Sequence, residues 1–507
     1  MAKPRGRVVL CGAGPGDPEL VSLKAVRRLG EADLVLYDAL VHPDVLRHAP
    51  ASAVLEFVGK RAGRPSERQE RINARMVAAA REGKLVVRLK GGDPYLFGRG
   101  SEEAEHLAAH GVPFEVVPGV PSSLAATAYA GIALTHRARS SSVLYLTATE
   151  SPDKDRSSHE WDKLATAAET LVIFMGMRKL PELMRLLVEH GRDPATPAAV
   201  IESASLPRQR CVVGTVATIG ERARAAGLGL PALTVIGDVV ALRETLRWYD
   251  AQPLFGKRVL VTRPAHQSDE TARLLREEGA EAVLAPAIRI VGPRDPAPLR
   301  EAVARMGYDW IVLTSANGVA ALFEEIARQG RDARALGGAR VCAIGPATAE
   351  ALRAHGVRAD VIPDEYRGEG AAEAILASGD VRGRRVLLPR AEVAREALPD
   401  LLRERGAHVD VVPAYRTVGP SEDDAATIRD VIHRKLVDVV TFTSPSTVRE
   451  VAGALGAHAD ALAEGFTLAC IGPVTADAAE ARGWPVHVVP TDYTAEGLVD
   501  ALREAFA

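Results

Sequence analysis

The sequence predicts an α/β protein in two parts, with largely parallel sheets and an internal repeat in the second part. Three observations carry this. Apolar runs of strand length alternate with helical patterns throughout the chain. The second half contains two similar strand-helix-strand blocks. The composition is that of an ordinary globular protein, 47% hydrophobic and 25% charged.

The 507 residues suggest three to four domains at ~150 residues each, enough to bury cores without staples. The strand-like runs are Val8–Leu10, Leu34–Leu36, Val86–Leu89, Leu171–Phe174, Val259–Val261, Ile311–Thr314, Val386–Leu388 and Val439–Phe442. Around Arg247–Pro253 a helical pattern ends at a proline, and Gly256–Val261 starts a fresh strand, so the main boundary falls there. The division is a first domain over 1–250, a linker over 251–256 and a second domain over 257–507.

In the second domain, Gly256–Ala287 aligns without a gap to Gly383–Ala414. A further pair follows: the segment from Asp309 matches that from Asp438, and the segment from Ala343 matches that from Cys470. The duplication implies two similar lobes with a ligand cleft between them. Spacing alone leaves open which blocks share a lobe.

Charge and composition exclude several classes of function. Lys plus Arg total 63 against 66 for Asp plus Glu, a net charge of -3, which offers no general pull towards nucleic acid or anionic lipid. Aromatics are only 4%, too few for base-stacking platforms. Neither a nucleic-acid nor a membrane partner is expected. The cysteines Cys11, Cys211, Cys342 and Cys470 are scattered, so neither a metal site nor a disulfide framework is expected. With no long apolar run near Met1, the expected location is the cytoplasm.

The first loop, Gly12-Ala13-Gly14-Pro15-Gly16-Asp17-Pro18, suggests a dinucleotide turn, with Asp38 about 20 residues on. That reading fails because the third glycine of G-x-G-x-x-G would fall at Asp17, and two prolines stiffen the loop. A nicotinamide-dependent oxidoreductase is therefore the weaker alternative. Four further strand-end loops have special composition: Lys90-Gly91-Gly92-Asp93-Pro94-Tyr95-Leu96, Pro118-Gly119-Val120-Pro121-Ser122, Leu134-Thr135-His136-Arg137 and Phe174-Met175-Gly176. Backbone approaches a ligand closely at a Gly-Gly step, and an acid beside it accepts from hydroxyls or an amine.

In this order the five loops resemble the uroporphyrinogen-III C-methyltransferases, tetrapyrrole methylases that use S-adenosylmethionine, over roughly residues 7 to 250. The resemblance implies a fold of two α/β subdomains and a homodimer formed through this half. It implies cofactor contacts at Pro15, Gly91, Gly92, Asp93, Leu96, Pro121, Ser122, Met175 and Ala204. Asp38 and Lys60 match the family's proton acceptor and donor, in Tyr37-Asp38-Ala39-Leu40-Val41 and Gly59-Lys60-Arg61. Arg61, Arg64, Arg99 and His136-Arg137 are candidates for substrate carboxylates. The sequence departs from the family at Pro121-Ser122 and at Thr147-Ala148-Thr149.

Residues 256 to 507 contain no H-E-x-x-H, P-loop or G-x-S-x-G. What recurs instead is hydroxyls after strands: Thr314-Ser315, Gly345-Pro346-Ala347-Thr348, Thr443-Ser444-Pro445-Ser446 and Gly472-Pro473-Val474-Thr475. Backbone N–H groups at helix starts with hydroxyls beside them suit carboxylates, although ordinary capping uses the same residues. With Val261-Thr262-Arg263-Pro264, Pro413-Ala414-Tyr415-Arg416-Thr417 and Tyr493–Leu498, these segments resemble uroporphyrinogen-III synthase.

That resemblance implies two lobes with the chain crossing twice, lobe one about 257–289 plus 419–507 and lobe two about 290–418. It implies closure of hydroxymethylbilane without metal or cofactor. Tyr415 matches the tyrosine that helps the hydroxyl depart. Thr348, Ser444, Ser446 and Thr475 match cleft hydroxyls, with Ser315 a further substrate contact. Arg263 and Arg390 occupy equivalent repeat positions suited to carboxylates. Together the halves imply a bifunctional enzyme that makes uroporphyrinogen III and methylates it twice to precorrin-2, on the way to sirohaem or a cobalamin. The alternative is a methyltransferase whose second half only senses a ligand.

Overall fold

The computed structural model describes residues 6–59, 68–149, 159–393 and 396–507. A first compact unit runs to Arg258 and takes in Leu274–Glu281 and Leu502–Ala507; the second holds Val259–Arg273 and Ala282–Ala501.

The first unit contains two sheets. One comprises β1 (Arg7–Gly12), β2 (Leu34–Tyr37), β3 (Val54–Phe57), β4 (Leu85–Lys90) and β5 (Phe114–Val117), in the order β3-β2-β4-β1-β5 and parallel throughout. Its central strands β1, β2 and β4 are largely apolar on both faces because both are covered, whereas the edge strand β3 is partly exposed. Val8 and Leu10 enter one core cluster with Leu34, Leu36 and Val86, while Val9 and Cys11 enter another with Val35, Val87 and Leu89. The chain leaves β1 towards β2 on one side and leaves β4 towards β5 on the other. Loops departing in opposite directions from neighbouring strands open a crevice at their carboxyl ends.

The other sheet comprises β6 (Val143–Thr147), β7 (Thr170–Phe174), β8 (Pro197–Glu202), β9 (Arg210–Thr215) and β10 (Ala232–Ile236), in the order β6-β7-β10-β8-β9. Only β6 and β7 pair in parallel; β7–β10, β10–β8 and β8–β9 are antiparallel. The α/β class holds, but the expectation of largely parallel sheets does not hold here. Between β8 and β9 lies only Ser203–Gln209, too short for the helical crossover a parallel pair needs, so the chain turns back as a hairpin.

The second unit has a four-stranded and a five-stranded sheet. Its strands are β11 (Arg258–Val261), β12 (Glu281–Leu284), β13 (Arg289–Val291), β14 (Trp310–Leu313), β15 (Arg340–Ala343), β16 (Arg385–Ala391), β17 (His408–Val418), β18 (Val439–Phe442) and β19 (Thr467–Cys470). The sheet orders are β12-β11-β18-β19 and β13-β17-β16-β14-β15. The first strand-helix-strand block therefore shares a sheet with the last strands of the chain. The second block shares one with β14 and β15. The connecting strands β13 and β17 pair antiparallel, Arg289 opposite Val418.

Candidate active sites

In the first unit the loops after β1, β4 and β5 touch through main chain. A Cβ on Gly12 would lie 2.6 Å from Gly119 and from the Gly92 carbonyl oxygen, and one on Gly119 only 2.2 Å from that same oxygen. Side chains at Gly12 and Gly119 would push the loops apart. Gly14 and Gly92 exchange N–H···O bonds of 3.3 and 2.6 Å, and both have positive φ, +79° and +67°.

The Asp93 carboxylate secures this arrangement. Oδ2 accepts from the Gly119 N–H at 3.0 Å, and Oδ1 accepts from the N–H groups of Tyr95 and Leu96 at 2.8 and 3.1 Å. Beyond Gly119, the helix Ser122–Tyr129 starts beside Gly92, whose added Cβ would meet the Ser122 nitrogen at 3.6 Å and the Pro121 Cα at 3.8 Å. Pro121-Ser122 thus presents its backbone to the crevice. On the same helix turn the Ser123 hydroxyl is buried without a hydrogen-bond partner.

Two loops of the second sheet close on this crevice. A Cβ on Gly16 would lie 3.0 Å from the Ala204 carbonyl oxygen, and the Asp17 N–H donates to Ser205 Oγ at 3.2 Å. Tyr129 donates to the Asp17 carboxylate at 2.6 Å. After β7, Met175 is held at a φ of +55° and is 48% exposed. The preceding Phe174 packs on Phe97 of the β4 loop, ring centroids 4.9 Å apart. Ala148 donates its N–H to the Phe174 carbonyl oxygen, so the divergent Thr147–Thr149 segment borders this loop. Pro15, Gly91, Gly92, Asp93, Leu96, Pro121, Met175 and Ala204 lie on loops at one set of strand ends, and Ser122 begins the helix that follows one of them.

Asp38 follows β2. Its carboxylate accepts from the Leu40 N–H at 3.0 Å and the Gly91 N–H at 3.4 Å, which fixes it beside the Gly-Gly step. Lys60, Arg61 and Arg64 lie outside the described residues. Arg99 is ion-paired with Glu102, and His136 and Arg137 are exposed.

Beneath the Gly-Gly step is a charged cluster that sequence reading missed. Glu103 Oε1 accepts from Gln69 at 2.9 Å and from Arg88 and Lys90 at 3.1 Å each, while Oε2 is buried without a partner. Arg88 and Lys90 are 4% exposed and Glu103 0%. Burial, with Arg88 adjacent, holds the Lys90 ammonium below the usual lysine range. The visible signal was two cations in an otherwise apolar strand, but their shared acid lies on the helix Gly100–Ala109.

In the second unit the recurring hydroxyls stand at helix starts after strands. Ser315 caps the helix Ala316–Arg328, its Oγ accepting from the Gly318 N–H at 3.1 Å, and lies 2.9 Å from the Tyr415 hydroxyl. Ser444 caps the helix Pro445–Leu455 reciprocally with Thr447, and Ser446 lies in that first turn. Thr348 and Thr475 occupy matching positions in the helices Pro346–Ala354 and Pro473–Glu480, each 4% exposed.

The duplication also places two tyrosines alike. A Cβ on Gly345 would meet the Tyr366 ring at 3.4 Å, and one on Gly472 the Tyr493 ring at 3.3 Å. Both rings are largely exposed, 60% and 61%. Tyr366 was missed, although its alignment with Tyr493 in the repeat was a usable signal. The two arginines differ. Arg390 is buried and ion-paired with Glu396, whereas Arg263 donates to the neutral Thr271 at 3.0 Å and Gln267 at 3.4 Å, with its Nε buried and unpartnered.

Burial pushes the Cys11, Cys342 and Cys470 thiols up to about 12 and that of Cys211 to about 11, so none supplies a thiolate at neutral pH. Among the described residues, no group of three or more His, Cys, Asp or Glu side chains is placed to hold a metal, and no helix is long and apolar enough to cross a membrane.

The profile of the tetrapyrrole (corrin/porphyrin) methylases matches residues 7–220, and that of uroporphyrinogen-III synthase HemD matches residues 269–500. Over 500 residues the chain is 36% identical to the porphyrin biosynthesis protein HemD of Ruminiclostridium josui, covering 98% of each. The chain belongs to that family. Its methylase half is 48% identical over 241 residues to an S-adenosyl-L-methionine-dependent uroporphyrinogen III methyltransferase of Methanosarcina barkeri, covering 48% of this chain and 94% of the relative. That half is also 49% identical over 244 residues to siroheme synthase 2 of Aeromonas hydrophila, covering 48% of this chain and 51% of the relative. This is a two-part enzyme of tetrapyrrole biosynthesis, a methylase followed by a synthase.

Proposed function

We propose that the synthase half closes hydroxymethylbilane to uroporphyrinogen III and that the methylase half methylates this product twice, with S-adenosylmethionine as donor, to precorrin-2. The observation that carries this reading is the match of the whole chain, both families in the same order, to a porphyrin biosynthesis protein.

The first crevice fits such a cofactor. Glycines whose side chains would collide bring main-chain N–H and C=O groups together, as recognition of an amino-acid and nucleoside surface requires. Pro15, Gly91, Gly92, Asp93, Leu96, Pro121, Ser122, Met175 and Ala204 would hold it. When bound, the cofactor supplies an electrophilic methyl group on a sulfonium. The chain's own contribution is alignment of the pyrrole carbon, and Asp38 takes the proton that the macrocycle must lose once that carbon is methylated. Lys60 is assigned the complementary donor role by its Gly-Lys-Arg motif.

In the synthase half, Tyr415 assists loss of the terminal hydroxyl. Thr348, Ser444, Ser446 and Thr475 face the substrate in this reading, with Ser315 beside Tyr415 and Arg263 the better placed arginine for a carboxylate because its side-chain hydrogen bonds go to the neutral Thr271 and Gln267, whereas Arg390 is ion-paired with Glu396. The methylase half forms a homodimer, tested by sedimentation of the full chain.

The deciding experiment is anaerobic incubation of the full chain with fresh hydroxymethylbilane, with and without S-adenosylmethionine. The expected products are isomer III alone without the cofactor and a dimethylated tetrapyrrole with it. Spontaneous isomer I alone, with supplied uroporphyrinogen III still methylated, would reduce the second half to a sensing module.

A further inference from the structure

The two copies of the repeat differ at one helix start, and the difference isolates a pair of hydroxyls. In lobe one, Thr447 closes the cap: its Oγ1 accepts from the Ser444 N–H at 3.2 Å and donates to the Ser444 carbonyl at 2.7 Å. In lobe two, the residue aligned with Thr447 is Gly318. A Cβ there would already lie 3.1 Å from the Pro389 carbonyl oxygen and 3.4 Å from Ser315 Oγ, so a threonine would crowd both. The position of Tyr415 is taken in the first block by the buried Ile288. Lobe two alone thus combines an open cap with a tyrosine hydroxyl 2.9 Å from the capping serine.

We propose that Ser315 is a positioning residue for Tyr415, donating its hydroxyl hydrogen to Tyr415 Oη so that the tyrosine's own hydrogen is turned towards the substrate. The proposal rests on the synthase reading above and extends it by one residue. Ser315 Oγ already accepts the Gly318 N–H, and an oxygen that accepts a hydrogen bond becomes a better donor. The start of a helix of thirteen residues, Ala316–Arg328, reinforces that polarisation. With Ser315 as donor, the Tyr415 O–H remains free.

In the step this serves, the C–O bond of the terminal hydroxymethyl group breaks, and its electron pair leaves with the oxygen. The Tyr415 proton joins that oxygen, so water departs. The pyrrole nitrogen lone pair fills the vacated position and gives an azafulvenium, and Tyr415 is left as its phenolate. The azafulvenium carbon bonds to the substituted α-carbon of the last pyrrole, the bond from that carbon to its own methylene breaks, and the released methylene bonds to the unsubstituted α-carbon, whose proton then restores the phenol. Ser315 keeps its proton throughout and stabilises the phenolate by donating to it.

The test uses the full chain and reads uroporphyrinogen III formation from hydroxymethylbilane. Ser315→Ala is expected to lower kcat about tenfold, the worth of one such bond, with KM within twofold. In a Tyr415→Phe background the same change should have no further effect. Ser315→Thr, which keeps the donor, should restore most of kcat. Ser315→Asp separates capping from donation, because aspartate caps a helix as well as serine but has no hydrogen to give. Its kcat should stay at or below that of Ser315→Ala while its thermal unfolding matches the native chain. Native kcat in Ser315→Ala, or independent additive losses from Ser315→Ala and Tyr415→Phe, would overturn the proposal alone. Absence of isomer III from the native chain would overturn the synthase reading beneath it.

Discussion

Asp93 and Gly119 join two loops of the methylase half: one carboxylate oxygen accepts the glycine N–H at 3.0 Å while the other holds Tyr95 and Leu96. The β4 and β5 loops therefore move as one. Asp93→Ala removes the acceptor for all three donors, of which the Leu96 and Gly119 N–H groups are part-buried, at up to ~1–3 kcal/mol for each of those two left unsatisfied. S-adenosylmethionine affinity is expected to fall at least tenfold, read by calorimetry, with cyclisation unchanged. Native affinity would show that the glycine contacts alone shape the crevice.

Asp38 is held by the Leu40 and Gly91 N–H groups, so its position does not depend on substrate. Asp38→Asn keeps an acceptor oxygen but cannot take a proton. Methylation of supplied uroporphyrinogen III should drop about 10²–10⁴-fold, the usual contribution of a positioned base. Cofactor binding should change less than threefold. An Asn variant that methylates at the native rate would move the proton transfer to another group.

The cluster below that site is a stability element. Arg88 and Lys90 share one oxygen of Glu103, all three almost fully buried. Removing the acid by Glu103→Ala strands two cations, and breaking a buried pair in this way costs about 3–5 kcal/mol. Urea unfolding measures the loss. A change below ~1 kcal/mol would mean that water already reaches the cluster.

These predictions differ in how far the sequence foreshadowed them. Val8–Leu10 and Val86–Leu89 read as strands because both faces of their sheet are buried, and continuous apolar runs are what such strands require. The Gly-Gly-Asp and Pro-Gly loops were legible because close backbone approach permits few other residues. The hairpin of β8 and β9 was not, since apolar runs do not encode strand direction. Nor was the Glu103 cluster, whose members meet only when a helix is laid on a sheet. Tyr366 escaped notice because nothing local marks it; its alignment with Tyr493 in the repeat and the matching ring contacts with Gly345 and Gly472 set it apart.

Those two tyrosines give a prediction for the synthase half. Each exposed ring lies against the glycine that begins a Gly-Pro-x-Thr helix, the helix that carries Thr348 or Thr475. An exposed aromatic offers a pyrrole both a flat apolar surface and a hydroxyl donor. Tyr366→Ala and Tyr493→Ala should each raise KM for hydroxymethylbilane about three- to tenfold, with kcat nearly unchanged and methylation unaffected. A fall in kcat at constant KM would place the rings in a different role.

The acid limb of stability has a named contributor in the methylase half. Glu115 at the end of the first sheet accepts from Arg28 at 2.8 and 3.2 Å and pairs with Lys24 at 2.7 Å. Hydrogen bonds from Arg28 first, then Lys24, hold its carboxyl at about 2 against an ordinary 4.5. Because the folded value is depressed, the stabilisation is fully present above pH ~4.5 and is lost as pH falls towards 2. Its side chain is 22% exposed, so solvent screening reduces the contribution to about 1–2 kcal/mol. Glu115→Gln should therefore be less stable than the native chain by that amount at pH 6, and the gap should close by about pH 2, measured by urea unfolding at each pH. A gap of constant size across that range would show that Glu115 acts through packing and not through its charge.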